Sequence, residues 1–185
     1  MPRPARYTVD DLLDAAAALL ARRGPAAVSM SAVARAVGAP SGSMYHRFAT
    51  RAQLCGALWA RTEERFHTGF TAAMATSGPA RDRCVAGALF VVRWCREHPD
   101  EAQVLLAGAD ALGAAQWPQE LTAAHRRRGQ RLRRLLQSVA GDRDRVTAAV
   151  IDVPYAVVRR HLLAGRRIPS SADDIVADCV RALIE

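Results

Sequence analysis

Side chains that hydrogen-bond well are concentrated in one short stretch, GAPSGSMYHRF, which runs from Gly38 to Phe48. Two serine hydroxyls, a phenol, an imidazole and a guanidinium follow a glycine and a proline there. Groups of these types donate to and accept from the base edges and phosphate oxygens of a nucleic acid. The stretch therefore suggests a polyanion-binding element, provided that the fold leaves these groups on the outside.

Two short helices joined by a glycine turn would present these side chains. Ser29 is a good N-cap, and apolar residues at helical spacing after it predict a helix over about 30–37. Gly38 permits the left-handed backbone of a sharp turn, and Pro40 suits the first turn of a second helix over about 40–48. Two short helices with such a turn form a helix-turn-helix.

The second helix needs an apolar anchor. Met44 and Phe48 lie four residues apart and so share one face of the helix, which we expect to contact the core. The other faces then carry the small and polar residues Ser41, Gly42, Ser43, Tyr45 and His46. Three alternatives stay open: Tyr45 as a core aromatic, His46 as an ordinary exposed residue, and Arg51 as a solvated charge.

The whole sequence predicts an all-α fold, because strand-like alternation is absent over any length. Thr8 and Asp11 have the spacing of a capping box, and Gly24 ends the first helix. A small N-terminal module (1–50) is expected to precede a larger helical domain (51–185), with one long helix from Thr50 crossing the boundary. Later helices are expected over about 81–97, 99–110, 118–139, 143–164 and 172–184, the fourth of them kinked at Pro154.

Composition narrows the function classes. The 185 residues carry a formal net charge of +8, and all 26 basic residues are arginine. Residues 1–51 hold half of that net charge, +4, as seven Arg and three Asp. A basic protein is compatible with a polyanionic partner, although charge alone is weak evidence. No run of eighteen apolar residues and no signal-peptide pattern is present, so a cytoplasmic protein is expected.

Catalytic and metal-binding patterns are not found in the sequence. The four cysteines lack CxxC pairing and zinc-type spacing to histidine, so reduced, buried thiols are expected. No Gly-rich phosphate loop and no GxSxG occur, and the prediction is a protein that is no enzyme and has no cofactor or metal. The arginine-rich stretch 125–134 indicates a solvated helix face in preference to a second nucleic-acid site.

The order of these pieces resembles the DNA-binding module of the TetR family of bacterial transcriptional regulators. The matching segments are LLDAAAALLARRG, SMSAVARAVGAPSGSMYHRF and TRAQLCGAL, within residues 8–58. The resemblance implies a homodimeric repressor that binds a palindromic operator and is released by a small-molecule effector. By position it implies phosphate contacts from Ser29, Ser31, Tyr45 and Arg51.

The same resemblance places a second set of residues at or near the bases: Ala39, Ser41, Gly42, Ser43 and His46. Pro40 is counted with the DNA-contacting residues, although many members have a hydroxyl residue there. Ser41 likewise stands where a basic residue is common. These two departures leave the exact base contacts open.

The resemblance also implies a ligand pocket and a dimer interface in the C-terminal domain. The large apolar residues expected to line the pocket are Phe66, Phe70, Phe90, Trp94, Leu106, Trp117 and Tyr155. In the family, the final two long helices pair with their symmetry mates. The apolar residues expected at that interface are Val150, Val153, Val157, Val158, Leu162, Ile175, Val176, Cys179, Val180 and Leu183.

Two other classes remain as alternatives. A helical enzyme or carrier would need a catalytic group that the sequence does not show. A constitutive DNA-binding protein would bind DNA but would not respond to an effector. The apolar faces of the last two helices could also pack only within one chain instead of forming a dimer interface. The regulator could also be an activator instead of a repressor.

Overall fold

A computed structural model describes residues 7–184, and every regular element within that range is helical, as the sequence predicts. The α-helices are α1 (Val9–Arg23), α2 (Met30–Val37), α3 (Ser41–Tyr45), α4 (Arg51–Met74), α5 (Ala80–Glu97), α6 (Pro99–Ala107), α7 (Gln119–Gln137), α8 (Arg143–Thr147), α9 (Val153–Leu163) and α10 (Ser171–Leu183). Three short 3₁₀ turns cover Pro25–Ala27, Asp110–Leu112 and Ala114–Gln116.

The chain folds into two compact units. The first, unit 1, contains the residues up to Glu63 together with Asp100–His125. The second, unit 2, contains Glu64–Pro99 together with the residues from Arg126 onward. Three helices, α4, α6 and α7, therefore contribute residues to both units, α6 only through Pro99.

Helix α1 begins with the predicted capping box. The Thr8 hydroxyl accepts from the backbone N–H of Asp11 at 3.1 Å, and the Asp11 carboxylate accepts from the backbone N–H of Thr8 at 2.8 Å. These hydrogen bonds from Thr8 lower the pKa of Asp11 below its usual value, because they favour the charged form. At the other end Gly24 has φ = 79°, a conformation that stops the helix without a side-chain penalty.

The core of unit 1 joins the N-terminal helices to the first half of α4. Apolar residues of α1 and α2 are almost fully buried and pack with Leu54 and Leu58 of α4. Thr50 precedes α4 as expected, since its hydroxyl accepts from the backbone N–H of Gln53 at 3.2 Å. Trp117 and Leu121 pack onto Gly56 so closely that a Cβ there would meet them at 3.1 and 2.7 Å.

Unit 2 is built around α5, against which α9 and α10 pack. Close packing of α5 on α4 depends on glycine: a Cβ at Gly69 would lie 2.4 Å from the Phe90 ring, and one at Gly87 would lie 2.3 Å from the Met74 sulfur. Arg96 holds the segment between α9 and α10 by donating to the carbonyls of Ile168 and Pro169 at 3.2 and 3.1 Å.

The helical geometry changes just before Pro154, the residue at which the sequence predicts a kink. A π-helical turn, Ala148–Asp152, separates α8 from α9. Proline has no N–H to donate to the carbonyl four residues earlier, Val150, so an α-helical ladder cannot continue through this point. The wider π-helical ring is one way to absorb such a missing hydrogen bond.

The cysteines are free thiols, as expected. Cys55, Cys84 and Cys95 are buried, and Cys179 is partly exposed. Burial raises the pKa of the Cys55 and Cys84 thiols and raises that of Cys95 to about 12, because an apolar environment disfavours the thiolate. Since the thiolate is the reactive form, these three buried side chains are structural.

Adjacent residues of α3 give a test of this packing. Met44 is fully buried, whereas Tyr45 is 62% exposed. Met44→Ala should lower the free energy of unfolding by about 2–5 kcal/mol, because it leaves a cavity in the core. Tyr45→Ala should change it by less than about 0.5 kcal/mol. Urea unfolding followed by circular dichroism measures both values, and similar losses in the two variants would contradict the packing described.

Candidate nucleic-acid interface

Helix α3 places its apolar residues inward and its polar residues outward. Met44 is fully buried and Phe48, just beyond the helix, is 4% exposed, so these two side chains anchor the helix as predicted. On the other side lie the exposed residues Gly42, Ser43, Tyr45, His46 and Arg47. Because Tyr45 is 62% exposed, the alternative of a core aromatic is wrong for this residue.

The turn before α3 depends on the left-handed backbone that the sequence predicts. Gly38 has φ = 71° and ψ = 25°, and its N–H caps α2 by donating to the last carbonyls of that helix. The Tyr7 hydroxyl donates to the carbonyl of Gly38 at 3.1 Å, which ties the residue before α1 to the turn. A residue other than glycine would be strained here, so Gly38 sets the angle between α2 and α3.

The start of α3 uses an internal hydrogen bond in place of an ordinary cap. Pro40 precedes the helix and offers no side-chain cap, while the Ser43 hydroxyl donates to the carbonyl of Pro40 at 2.7 Å. As long as this bond persists, Ser43 has only acceptor capacity to offer to a partner. Gly42 adds no side chain beside it, so a partner can approach the backbone closely.

Arg47 belongs to this surface, although the sequence analysis did not select it. It is exposed and directly follows His46 at the end of α3. Its charge and its place in the motif were visible in the sequence, but only the structure shows that it shares the exposed side of α3 with Tyr45. A guanidinium at this point is suited to a phosphate oxygen.

The N-terminus of α2 carries the two serines predicted to contact phosphate. The Ser29 hydroxyl caps the helix by accepting from the backbone N–H of Ala32 at 3.2 Å. The hydroxyls of Ser29 and Ser31 lie 3.3 Å apart, with Ser31 exposed and Ser29 partly buried. A helix N-terminus with a free hydroxyl beside it attracts anions, because unpaired N–H groups point outward there.

Arg51 lies at the start of α4 and is engaged with the backbone of the preceding loop. Its Nε donates to the carbonyl of Val28 at 2.7 Å, and its NH2 donates to the carbonyl of Pro25 at 2.9 Å. The residue was expected to contact a phosphate. Two of its three guanidinium nitrogens are instead used within unit 1.

A second arginine of α4 links three helices of unit 1. Arg61 donates to the Asp10 carboxylate at 3.0 Å and lies 2.7 Å from the Asp14 carboxylate, both on α1. Its third partner is Glu101 on α6, at 3.7 Å. Arg61 and Glu101 are largely buried whereas the aspartates are exposed, so the network holds α1 against α4 and α6.

Four of the seven residues predicted to line a ligand pocket meet in unit 2. The ring centroid of Phe66 lies 6.0 Å from that of Phe70, 5.7 Å from that of Phe90 and 5.1 Å from that of Trp94. The four rings therefore form one aromatic cluster between α4 and α5. A separate surface crevice of about 400 Å³ in unit 2 is lined by none of the seven residues predicted to form the ligand pocket.

The other three residues of that set lie elsewhere. Tyr155 is 45% exposed on the surface of α9, because the inward face of this helix is occupied by Pro154, Val158 and Leu162. Leu106 and Trp117 belong to unit 1, where the Trp117 indole donates to the carbonyl of Leu112 at 3.0 Å.

Trp117 belongs to a polar aromatic cluster that the sequence did not reveal. Its ring lies 6.1 Å from that of Trp59 and 6.1 Å from that of His125. His125 Nδ1 lies 2.7 Å from the Glu63 carboxylate and 3.2 Å from the Trp59 indole nitrogen. Glu63 is 5% exposed and contacts His125 from a distant part of the chain.

Half of the ten residues predicted at a dimer interface are buried within the chain itself. These residues pack towards α5, and their assignment to an interface stays a prediction: Val150, Val158, Leu162, Val176 and Val180. Ile175 is 41% exposed. Four more are partly exposed and keep their assignment as a prediction: Val153, Val157, Cys179 and Leu183.

The arginine-rich stretch forms much of α7 and is mostly exposed, with one exception. Arg128 is 7% exposed, and its NH1 lies 3.4 Å from the Glu64 carboxylate. Within residues 7–184 no three His, Cys, Asp or Glu side chains are grouped so that they could hold a metal ion. None of the helices in that range is long and apolar enough to cross a membrane.

Comparisons with known proteins agree with this geometry. Residues 12–58 match the sequence profile of the bacterial regulatory proteins of the tetR family. That range contains most of α1, all of α2 and α3, the Gly38 turn and the first residues of α4. No curated protein sequence matches the chain.

Solved structures resemble the chain over nearly its whole length. A TetR family transcription regulator from Marinobacter aquaeolei VT8 has a TM-score of 0.74 at 16% identity, covering 95% of this chain and 94% of that one. The ketosteroid regulator KstR2 of Mycobacterium tuberculosis has 0.71 at 19%, covering 97% and 94%. The regulator FadR from Bacillus subtilis, solved with stearoyl-CoA, has 0.70 at 13%, covering 96% and 98%.

At these identities the structural matches establish the fold, while the profile match covers the module that contains α3. The N-terminal helix-turn-helix and the helical remainder are the two parts of the TetR architecture. The chain thus resembles the TetR family of bacterial transcriptional regulators in the sequence of residues 12–58 and in its fold over nearly its whole length.

Proposed function

We propose that this protein is a dimeric repressor that binds a palindromic operator through α3 and releases it when a small molecule binds. The observation that carries the proposal is the exposure of Tyr45 at the end of α3 and of His46 and Arg47 in the turn after it, while Met44 and Phe48 are buried. A helix of this kind reads the major groove with its N-terminal residues. No catalytic function is proposed.

Contacts to the DNA divide into two kinds. Tyr45, Ser29, Ser31 and Arg47 are placed to hold phosphates, which positions the module but reads no sequence. At the N-terminal end of α3 the candidates near the bases are small, so we assign most of the direct base reading to His46 and the acceptor oxygen of Ser43. The remaining members of the predicted base-proximal set, Ala39, Pro40, Ser41 and Gly42, would allow close approach.

The dimer in this proposal uses the exposed sides of α9 and α10. Ile175, Tyr155 and Leu163 are large apolar side chains that are 41%, 45% and 60% exposed on these helices. The exposed charges of α9 include Arg159 and Arg160, and those of α10 include Asp174 and Asp178, the last of which pairs with Arg181 at 2.9 Å. A two-fold pairing of α9 with the partner's α10 would cover the apolar residues and bring the charges together.

The effector in this proposal is a small molecule with a substantial apolar part. Support comes from the aromatic cluster of unit 2, because ligand sites between helices are mostly apolar. The similar FadR structure from Bacillus subtilis contains stearoyl-CoA, which makes long-chain acyl-CoA the first compound to test. Release requires that the effector bind the DNA-free conformation more tightly than the DNA-bound one.

DNA recognition is tested by selecting bound sites from random DNA and measuring Kd on the selected duplex. Tyr45→Phe should weaken binding to all sequences to a similar degree, since it removes a phosphate hydrogen bond, and the salt slope should stay the same because the side chain is neutral. His46→Ala should relax preference at one position in each half-site, by about 1–3 kcal/mol of discrimination. Unchanged affinity and unchanged preference in both variants would contradict the assignment.

Dimerisation is tested with Ile175→Asp. The charge should break the apolar pairing, so sedimentation velocity should show the 20.0 kDa monomer in place of a species of twice that mass. Ser77→Asp, an exposed position between α4 and α5, is the matched control and should remain dimeric. An Ile175→Asp protein that is folded and still dimeric would place the interface elsewhere.

Effector binding is tested by thermal unfolding with an acyl-CoA series that includes stearoyl-CoA. A ligand present at 100 times its Kd should stabilise the protein by about 2.7 kcal/mol and should weaken operator binding in the same concentration range. A constitutive DNA-binding protein would show neither effect. A compound that raises the Tm but leaves DNA affinity unchanged would argue against release by that compound.

A further inference from the structure

The guanidinium of Arg51 closes a long-range bridge inside unit 1. Its Nε and NH2 atoms donate to two different carbonyls, those of Val28 and Pro25, which lie 23 and 26 residues earlier in the chain. Both distances, 2.7 and 2.9 Å, are those of good charge-assisted hydrogen bonds. The first residue of α4 is thereby joined to the start of the 3₁₀ turn and to the residue that follows the turn.

The bridge depends on the shape of arginine. A planar guanidinium presents Nε–H and NH2 donors side by side in a rigid fork, so it can satisfy two carbonyls at once. A lysine ammonium carries the same charge but has no such fork, and a single nitrogen would have to serve both acceptors. An Arg→Lys change at this position therefore keeps the charge and loses the bridge.

The same fork occurs at Arg96 in unit 2. There Nε and NH2 donate to the carbonyls of Ile168 and Pro169, 72 and 73 residues later in the chain. Arg81 and Arg83 also donate through Nε to distant or helix-terminal carbonyls, those of Ile184 and Met74. Hydrogen bonds from arginine to carbonyls outside its own helix therefore recur in this chain, and those of Arg81, Arg83 and Arg96 are far from α3 in sequence.

One of the two carbonyls that Arg51 holds, that of Val28, lies directly before a predicted phosphate contact. Val28 is fully buried, and the next residue, Ser29, is the N-cap of α2. Ser29 in turn bonds the backbone N–H of Ala32 and lies beside the Ser31 hydroxyl. Holding the Val28 carbonyl therefore orients the N-terminus of α2 that faces the DNA in the proposed function.

We propose that Arg51 is a positioning residue, which acts on DNA binding by fixing the N-terminus of α2 through Val28 and Pro25, and not a ligand of a DNA phosphate. This inference rests on the proposed DNA-binding function. It replaces the role that the family resemblance assigns to this position. A lysine at this position could still bind a phosphate, but it could not hold both carbonyls. The Arg51→Lys variant therefore distinguishes a phosphate ligand from a positioning residue.

The experiment compares wild type, Arg51→Lys and Arg51→Ala by DNA affinity on the selected duplex over a series of salt concentrations. All proteins are measured at a temperature where circular dichroism shows them folded. Both variants should weaken binding by about tenfold, since each loses charge-assisted bonds that orient α2, and the slope of log K against log salt should equal that of wild type. Wild-type affinity in Arg51→Lys, with a slope reduced by about one in Arg51→Ala, would overturn the proposal.

Arg96→Lys is the control, because it breaks a similar fork to two carbonyls in unit 2, where Arg96 also pairs with the Asp173 carboxylate. It should lower the Tm and leave DNA affinity as in wild type. If it weakens DNA binding as much as Arg51→Lys, general destabilisation explains both results and the proposal fails.

A double-mutant cycle with Ser31→Ala tests the route of the effect. If Arg51 acts through the N-terminus of α2, Ser31→Ala should cost clearly less affinity in the Arg51→Lys background than in wild type. Additive losses would contradict that route. Ser31 is exposed, so its truncation should not change the fold.

Hydrogen exchange without DNA separates this inference from the proposed function. The amide of Ala32, which bonds the Ser29 hydroxyl, should exchange faster in Arg51→Lys than in wild type and stay unchanged in Arg96→Lys. Equal exchange rates in Arg51→Lys and wild type would overturn the positioning role. If wild type binds no selected or genomic DNA, the proposed function fails, and with it the link from Arg51 to DNA.

Discussion

The burial of Met44 and Phe48 determines which groups of α3 face solvent. Both side chains are almost inaccessible, so the helix can rotate neither way without exposing one of them at a cost of about 1.5–3 kcal/mol each. Gly38 supplies the left-handed turn that brings the helix to this position. The outward direction of Tyr45, His46 and Arg47 follows from these two constraints.

Arginine contributes to this protein as a hydrogen-bonding crosslink as well as a charge. The absence of lysine from the sequence reads at first as a compositional bias without structural meaning. In the structure, forks from Arg51 and Arg96 hold loop carbonyls, and Arg61 joins α1, α4 and α6 through carboxylates. Several guanidinium donors are therefore already used within the fold, so fewer of them can bind DNA directly than the 26 arginines of the sequence suggest.

Local patterns predicted the helices and the turn well, because caps, glycines and helical periodicity act within a few residues. The Thr8 capping box and the left-handed Gly38 are found where the sequence indicates them, and the helical geometry changes just before Pro154. Periodicity could not say which neighbour an apolar stripe meets, so it did not predict that Val150, Val158 and Val180 pack towards α5 inside unit 2. Long-range pairs such as Glu63 with His125 have no local pattern at all.

Methylation interference on the selected operator tests most directly whether the exposed side of α3 enters the major groove. Methyl groups on guanine N7 lie in that groove, and a two-fold dimer should be blocked at two clusters of positions centred about 10–10.5 base pairs, or a multiple of that spacing, apart. Interference confined to the minor groove, or binding that no N7 methylation disturbs, would contradict the account.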